Sequence, residues 1–260
     1  MTALFPAGPL ALLGGGEHRA GCESIDRWLM ERTGQPQVRV TVVPAASSAT
    51  TLPLTAALAR NYWSSLGADV TIAVPGGQSS AQIEAALGAP DIVVLTGGVP
   101  GRLVRALGAS LVWERILDLW RGGAALSGSS AGAMAMFAWR LALRVPSPLR
   151  LVPGLGPLRD HVCVPHFDRF IAPLPAVHPW VRRAERGFGG LGILGIDERT
   201  ALLGHDGHWE VRGRGQVTVI DGRGWRTYAA GGSRAVRSSA QARPGVSVFA
   251  HRGGRNKARS

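Results

Sequence analysis

The chain has 260 residues, 45% of them hydrophobic and 18% charged, with a formal net charge of +12. It is long enough to bury a sizeable core, and no apolar run approaches the length that spans a membrane. Its two cysteines, Cys22 and Cys163, exclude a disulfide framework or a cysteine zinc site. The first residues lack the basic region of a secretory signal, so we expect a cytoplasmic protein with no membrane partner.

Seven of the positive charges fall in residues 233–260, where no acidic residue occurs. This segment is also rich in Ser and Gly, so we expect a disordered, solvated tail after one α/β domain spanning residues 1–232. The tail carries no named nucleic-acid-binding motif, and we therefore expect no nucleic-acid partner. The sequence leaves a homodimer open.

Short β-rich runs alternate with helical runs through the first half of the chain. The strands are continuously apolar, as is typical of a parallel sheet with helices on both faces. The predicted strands cover residues 10–16, 38–47, 69–74, 91–98 and 124–128, and the helical runs cover residues 22–34, 51–67, 79–89 and 100–123. This order predicts a three-layer α/β sandwich with a mainly parallel sheet.

The second half is less regular. Residues 146–179 are rich in Pro and Gly and predict no clear element. Further along, "HWEVRG", "GQVTVIDG" and "WRTYAA" have the pattern of strands. We interpret them as a short antiparallel addition near the C-terminus, packed on the same core.

The stretch "ALSGSSAGAMA" places Ser130 at the apex of a G-x-S-x-G pattern between an apolar strand and an Ala-rich helical run. A sharp strand-to-helix turn holds its apical residue in a strained conformation and needs small neighbours. Such a turn exposes the serine hydroxyl and leaves the N–H of Ala131 free at a helix start to stabilise an oxyanion. A second donor could come from the Gly97–Gly98 turn. A structural turn with an N-cap serine is the alternative.

Several segments, taken together, resemble the cyanophycinase and dipeptidase E family of serine peptidases, which share a fold with class I glutamine amidotransferase domains. They run in family order from about Leu10 to Asp221. The matching segments are "GGGE" at residues 14–17, "VVPAAS" at 42–47, "LTGG" at 95–98, "GSSAGA" at 128–133, "PHFDR" at 165–169 and "LGIDERTALL" at 194–203.

The resemblance implies that Ser130 is the nucleophile and His166 the general base. Cyanophycinases follow this histidine with several arginines that bind substrate carboxylates, and Arg169, although out of register with them, is the candidate substrate-binding residue here. The chain also departs from the family. Val164 and Pro165 stand where cyanophycinases carry Asp-Gln. No acidic residue lies between Ser130 and Asp160, where dipeptidase E carries its aspartate. These departures argue against cyanophycin itself as the substrate.

The acid that would orient His166 is left open. Asp197 and Glu198 lie in the segment that matches best after the histidine, and Glu17 ends the first Gly turn. Asp168 is two residues from the histidine, a spacing that tends to point its side chain away, and Asp160 lies in an irregular loop. For Asp197 and Glu198, a structural turn cap is the alternative role.

We therefore expect a serine peptidase that hydrolyses small peptides through an acyl-enzyme, with no cofactor and no metal. His161, Cys163 and His166 lack a fourth ligand for a metal site. One alternative is an α/β-hydrolase-type esterase with an Asp197 and His205 or His208 pair. Another is a weak or inactive binding protein on the same fold.

Overall fold

A computed structural model describes residues 7–74, 80–108, 111–144, 147–170 and 190–231 of the chain. The predicted tail at residues 233–260 lies outside these ranges, and the division into one domain and a tail stays a prediction. The strands are β1 (Leu10–Leu13), β2 (Arg39–Val43), β3 (Asp69–Ile72), β4 (Ile92–Leu95), β5 (Ala125–Ser129), β6 (Trp139–Arg144), β7 (Ser147–Pro153), β8 (His161–Pro165), β9 (Gly192–Ile196), β10 (Thr200–His205), β11 (His208–Gly213), β12 (Gln216–Asp221) and β13 (Gly224–Ala229). The helices are α1 (Glu23–Thr33), α2 (Leu52–Ser65), α3 (Ser80–Leu87), α4 (Pro100–Gly108), α5 (Val112–Arg121), α6 (Ala131–Ala135) and α7 (Phe167–Phe170).

A seven-stranded sheet has the order β11-β10-β1-β5-β4-β2-β3. The five strands from β1 to β3 in this order are parallel, and β10 and β11 extend the sheet with antiparallel pairs. The carboxyl ends of β1, β5 and β4 therefore lie side by side. This puts Gly14–Gly16, Ser130 and Gly97–Gly98 at one edge, where ligands of open α/β sheets bind.

Side chains of β1 alternate between two hydrophobic cores, one on each face of the sheet. Leu10 and Leu12 belong to a core with residues of α4 and α5, whereas Ala11 and Leu13 belong to a core with Trp28 of α1 and Trp63 of α2. Both faces are thus covered by helices, which explains why these strands are apolar without alternation. The predicted three-layer α/β fold is confirmed.

A second, four-stranded sheet has the order β13-β12-β9-β8. In it β8 and β9 are parallel, and Pro165 is paired with Ile196 at their carboxyl ends. The residues that follow these two strands, His166 and Asp197–Arg199, are therefore brought together. After β9 the chain crosses into the large sheet as β10, beside β1.

Three predictions about elements need correction. The helix expected after Ser130 has only five residues, because the alternating residues from Trp139 onward form the β6–β7 hairpin. Residues 100–123 form two helices, α4 and α5, and not one. The antiparallel addition near the C-terminus is confirmed, and the correction concerns only its placement: β10–β11 join the large sheet, and β12–β13 join the second sheet.

Candidate active site

Ser130 occupies the sharp turn between β5 and α6. Its backbone has φ 48° and ψ −106°, a region that non-glycine residues rarely adopt. A Cβ on Gly132 would lie 2.3 Å from the carbonyl oxygen of Leu95, so the turn requires a residue without a side chain there. The Ser130 N–H donates to the Leu13 carbonyl (2.9 Å), and the Met134 N–H donates to the Ser130 carbonyl (2.9 Å). The strained backbone is therefore held from both sides.

His166 follows β8 directly, and its ring reaches the serine. The distance from Ser130 Oγ to His166 Nε2 is 2.7 Å. His166 itself has φ 141°, and a Cβ on Gly15 would lie 2.2 Å from its Cε1 atom. The ring thus packs on the bare backbone of the first Gly turn, which is a reason for glycine at that position that sequence reasoning missed.

Glu198 contacts the other ring nitrogen. Its Oε1 atom lies 3.1 Å from His166 Nδ1, and the side chains of His166 and Glu198 are 26% and 20% exposed. With the proton on Nδ1, the imidazole donates to Glu198, and Nε2 is left to accept the Ser130 hydroxyl proton. Of the acids that the sequence left open, Glu198 is the one that the structure places against the imidazole.

Two residues of α7, Asp168 and Arg169, contact Glu198. The Glu198 N–H donates to Asp168 Oδ1 (3.2 Å), and Arg169 Nη2 lies 2.8 Å from Glu198 Oε2. The sequence predicted Arg169 as a substrate-binding residue, and the structure gives it this ion pair with the acid. Asp168 was expected to point away from His166, and its carboxylate accepts from the Glu198 backbone.

Asp197 has a different partner from the one the sequence offered it. Its Oδ2 atom accepts the Gln216 N–H (2.9 Å), and its own N–H donates to the Gln216 carbonyl (3.1 Å). Partial burial raises the pKa of this carboxyl above its usual value. The prediction that Asp197 is the acid for His166 is therefore corrected. Adjacent residues in a turn point in different directions, and the Asp197 side chain points to Gln216, where it caps the junction between β9 and β12.

Glu17 was also a candidate for the acid, and its carboxylate is engaged elsewhere. Oε1 accepts the Gly97 N–H (2.7 Å), and Oε2 accepts the Ser129 hydroxyl (2.6 Å). The Gly97 N–H, predicted as an oxyanion donor, is therefore already bound. Within the described ranges, the Gly98 N–H donates no hydrogen bond, so Gly98 is the remaining donor of that turn.

Backbone strain is concentrated around this cluster. Among the described residues, the non-glycine residues with positive φ are His18, Ser130, His166, Arg199 and Asp206. The first four lie in turns at this edge of the sheet: His18 follows Glu17, Ser130 and His166 contact each other, and Arg199 follows Glu198. Strained conformations persist only where the surroundings impose them, and they are concentrated at active sites.

The alternative histidines lie elsewhere. His205 ends β10 and His208 begins β11, whereas β10 starts beside the Ser130 cluster at Thr200. Six residues of extended strand separate the two ends by roughly 17 Å. The arrangement expected of an α/β-hydrolase, with Asp197 and His205 or His208 beside the serine, is therefore wrong.

Comparison with known proteins assigns the chain to a family. The sequence model of peptidase family S51 matches residues 10–212. The chain belongs to peptidase family S51. It is 31% identical over 231 residues to a cyanophycinase of Nostoc sp. (strain PCC 7120), covering 81% of this chain and 72% of the relative. It is 30% identical over 237 residues to a cyanophycinase of Synechococcus elongatus, covering 83% and 69%.

Two solved structures share the fold. A peptidase from an acI-B1 actinobacterium superposes with a TM-score of 0.76 at 22% identity, covering 89% of this chain and 97% of that one. A candidate peptidase E protein from Listeria monocytogenes EGD-e superposes with a TM-score of 0.60 at 18% identity, covering 80% and 100%. The match to peptidase family S51 over residues 10–212, and not these two structures, makes this chain a peptidase. Among the helices described above, none combines the length and the hydrophobicity of a membrane span.

Proposed function

We propose that this S51 member is a serine peptidase that works through an acyl-enzyme at Ser130, with His166 as the base and Glu198 as the acid. The observation that carries the proposal is the continuous chain Ser130 Oγ–His166 Nε2–His166 Nδ1–Glu198 Oε1, with links of 2.7 and 3.1 Å. Both links are within the reach expected of a nucleophile, a base and an orienting group.

The chemistry follows from these positions. Ser130 Oγ attacks the peptide carbonyl carbon while its proton passes to His166 Nε2. The tetrahedral intermediate collapses when the C–N bond breaks, and the amine leaves with the proton that His166 holds. Water then attacks the ester in the same way, and the acid is released as Ser130 recovers its proton. Glu198 stabilises the imidazolium that forms in each half of the reaction.

The oxyanion would be held by two backbone donors, the N–H groups of Ala131 and Gly98. Ala131 directly follows the nucleophile, and the Gly98 N–H is the donor of its turn that Glu17 leaves unused. Donors placed before the reaction stabilise the developing charge without reorganisation. The helix behind Ala131 has only five residues, so we assign the stabilisation to the N–H groups and not to a helix dipole.

We propose small peptides as the substrates. The relatives' name concerns cyanophycin, but Val164 and Pro165 replace the Asp-Gln of cyanophycinases in this chain. A cytoplasmic location and a homodimer stay predictions; the two cysteines are free and buried, as suits a reducing compartment. The second candidate is a weak or inactive binding protein, which the sequence left open because the family's acid after the nucleophile and its substrate-binding arginines are missing. The contact of Glu198 with His166 Nδ1 (3.1 Å) supports the peptidase over this candidate.

A fluorophosphonate probe tests the mechanism without a known substrate. It should add one phosphonyl group to the wild-type chain, as measured by intact mass, and none to Ser130→Ala. Peptide mapping should place the adduct on Ser130, since the neighbouring Ser129 is buried and bonded to Glu17. Hydrolysis of a dipeptide library, followed by mass spectrometry, then identifies the substrate class. Equal labelling of wild type and Ser130→Ala would overturn the proposal.

A further inference from the structure

One carboxylate joins the three turns that surround the nucleophile. Glu17 lies in the turn after β1, its Oε1 accepts from Gly97 after β4 (2.7 Å), and its Oε2 accepts from Ser129 at the end of β5 (2.6 Å). The three strands are neighbours in the sheet, with β5 in the middle. Both oxygens are thus occupied by groups separated from Glu17 by 80 and 112 residues in sequence.

The carboxylate is close to the nucleophile but does not take part in the Ser130–His166–Glu198 chain. A Cβ on Gly97 would lie 2.7 Å from Glu17 Oε1 and 3.3 Å from the Ser130 Cβ. Gly97 is thus packed between the carboxylate and the serine, with no room for a side chain. A shift of this carboxylate would therefore move the turn that lies directly against Ser130.

The bond to Gly97 also fixes what Gly98 can do. Successive peptide units are rigid planes joined by two torsion angles, so holding the Gly97 N–H restricts the plane that carries the Gly98 N–H. On its other side, Gly98 has φ 137° and is packed on the Ala46 carbonyl, which accepts the Val99 N–H (2.9 Å). The turn is therefore fixed at both ends.

We propose that Glu17 is a positioning residue for the oxyanion site. It holds the Gly97–Gly98 turn so that the Gly98 N–H faces the developing oxyanion, and it ties this turn through Ser129 to the turn that carries Ser130. The inference rests on the proposed acyl-enzyme function. It also replaces the role of acid for His166 that the sequence offered to Glu17.

The role needs hydrogen bonds and not a charge. A glutamine at this position could accept the Gly97 N–H with its oxygen and donate its amide N–H to the Ser129 hydroxyl, whose oxygen is also an acceptor. A methionine has a similar length but offers neither function. Glu17→Gln is therefore the matched control for Glu17→Met, and Ser129→Ala removes one of the two bonds.

The test measures fluorophosphonate labelling of the full chain, separated into the inactivation rate kinact and the binding constant KI. The phosphonyl oxygen develops charge where the oxyanion would form. We expect Glu17→Met to lower kinact by about 100-fold, the scale of one misplaced oxyanion donor, with KI unchanged. Ser129→Ala should lower kinact by roughly 10-fold, and Glu17→Gln should stay within about fivefold of wild type.

A second readout separates positioning from general damage. We expect the hydrogen-bonded proton between His166 and Glu198 to give a downfield NMR signal in the wild type, and this signal should persist in Glu17→Met because the variant leaves that pair intact. Loss of the signal together with labelling would overturn the inference, since Glu17 would then support the whole site. An unchanged kinact in Glu17→Met would also overturn it. If Glu17→Met does not fold, an unchanged kinact in Ser129→Ala would overturn the inference in its place.

The two proposals fail in different ways. Labelling that persists in Ser130→Ala contradicts the acyl-enzyme function, and the positioning role of Glu17 is then contradicted with it. Labelling that depends on Ser130 but is equal in wild type and Glu17→Met contradicts only the positioning role.

Discussion

The proposed active site has two halves that are built in different ways. The nucleophile half lies on the large parallel sheet and consists of tight turns of small residues around Ser130. The acid–base half lies on the second sheet, where the parallel pairing of Pro165 with Ile196 brings His166 and Glu198 together across 32 residues of sequence. Steric requirements of tight turns thus shape the first half, and the register of paired strands shapes the second.

The halves meet where the chain crosses from β9 to β10. The Arg199 N–H donates to the Gly15 carbonyl (2.8 Å), and the Gly14 N–H donates to the Thr200 carbonyl (3.0 Å). The turn that carries Glu198 is therefore attached by its backbone to the first Gly turn. Substitutions on either side of this junction test how independent the two halves are.

The largest effect should come from the acid. In Glu198→Gln, the amide can donate to His166 Nδ1 and favour the wrong tautomer, so we expect turnover to fall by about 10⁴-fold with little change in folding. Asp197→Asn is the matched control because its amide oxygen can still accept the Gln216 N–H, and its turnover should stay within about tenfold of wild type. Peptide hydrolysis rates and thermal melts check both. A larger loss in Asp197→Asn would return the acid's role to that residue.

A change in the nucleophile half should reach the base. The Cβ of Gly15→Ala would lie 2.2 Å from His166 Cε1, so the ring must move away from Ser130. We expect turnover to fall by about 100-fold, the cost of a displacement near 1 Å. Gly34→Ala is the control, since Gly34 also has positive φ (65°) but nothing within 4 Å of its Cβ position. Equal losses of activity in both variants would point to backbone strain and away from the ring contact.

A smaller effect is expected within the acid–base half. Arg169 is 67% exposed, and its ion pair with Glu198 (2.8 Å) is open to solvent and salt. We expect Arg169→Gln to lower turnover by only about three- to tenfold. Because salt screens the exposed ion pair, we expect the difference in turnover between the variant and wild type to become smaller as salt is added. Arg121→Gln, which removes the exposed ion pair with Asp118, should leave turnover unchanged. Retention of turnover with a raised KM in Arg169→Gln would favour the substrate-binding role that the sequence predicted.

The smallest effect on activity should come from Asp26, a buried acid on α1 that takes no part in the proposed site. Burial raises the pKa of Asp26 on α1 to about 7, while the Tyr62 hydroxyl on α2 donates to its carboxylate (2.6 Å). Between about pH 4 and pH 7 the unfolded chain releases a proton that the folded protein keeps, so stability falls as pH rises through this window.

Asp26→Asn removes this dependence. Relative to wild type, the variant should gain on the order of a few kcal/mol of unfolding free energy between pH 4.5 and pH 8, with turnover unchanged. Denaturant unfolding at the two pH values measures the difference. If the difference in unfolding free energy between the variant and wild type is the same at pH 4.5 and at pH 8, Asp26 is ionised at both pH values and the prediction is wrong.

Much of the large sheet and its nucleophile turn could be predicted from the sequence. Apolar runs without alternation indicate strands covered on both faces, and the G-x-S-x-G pattern indicates a tight turn at Ser130. Gly128 has a steric reason among the residues of the same turn, whereas Gly132 is required by the Leu95 carbonyl of the neighbouring strand β4. The helix after the turn was predicted too long, because an Ala-rich run suits a helix until the pairing of Trp139 with Pro153 draws the chain into a hairpin.

The second half could be predicted only in part. His166 was indicated by a resemblance, whereas the choice among Asp197, Glu198 and Glu17 stayed open because each is an acid near a turn. Tertiary structure decides which of these carboxylates lies against the imidazole: the β9–β10 crossing turns Glu198 toward it and Asp197 toward Gln216, and Glu17 is bound by Gly97 and Ser129. Short-range sterics can be inferred from neighbouring letters, but the direction of a side chain in a turn depends on strand register set by residues far away in sequence.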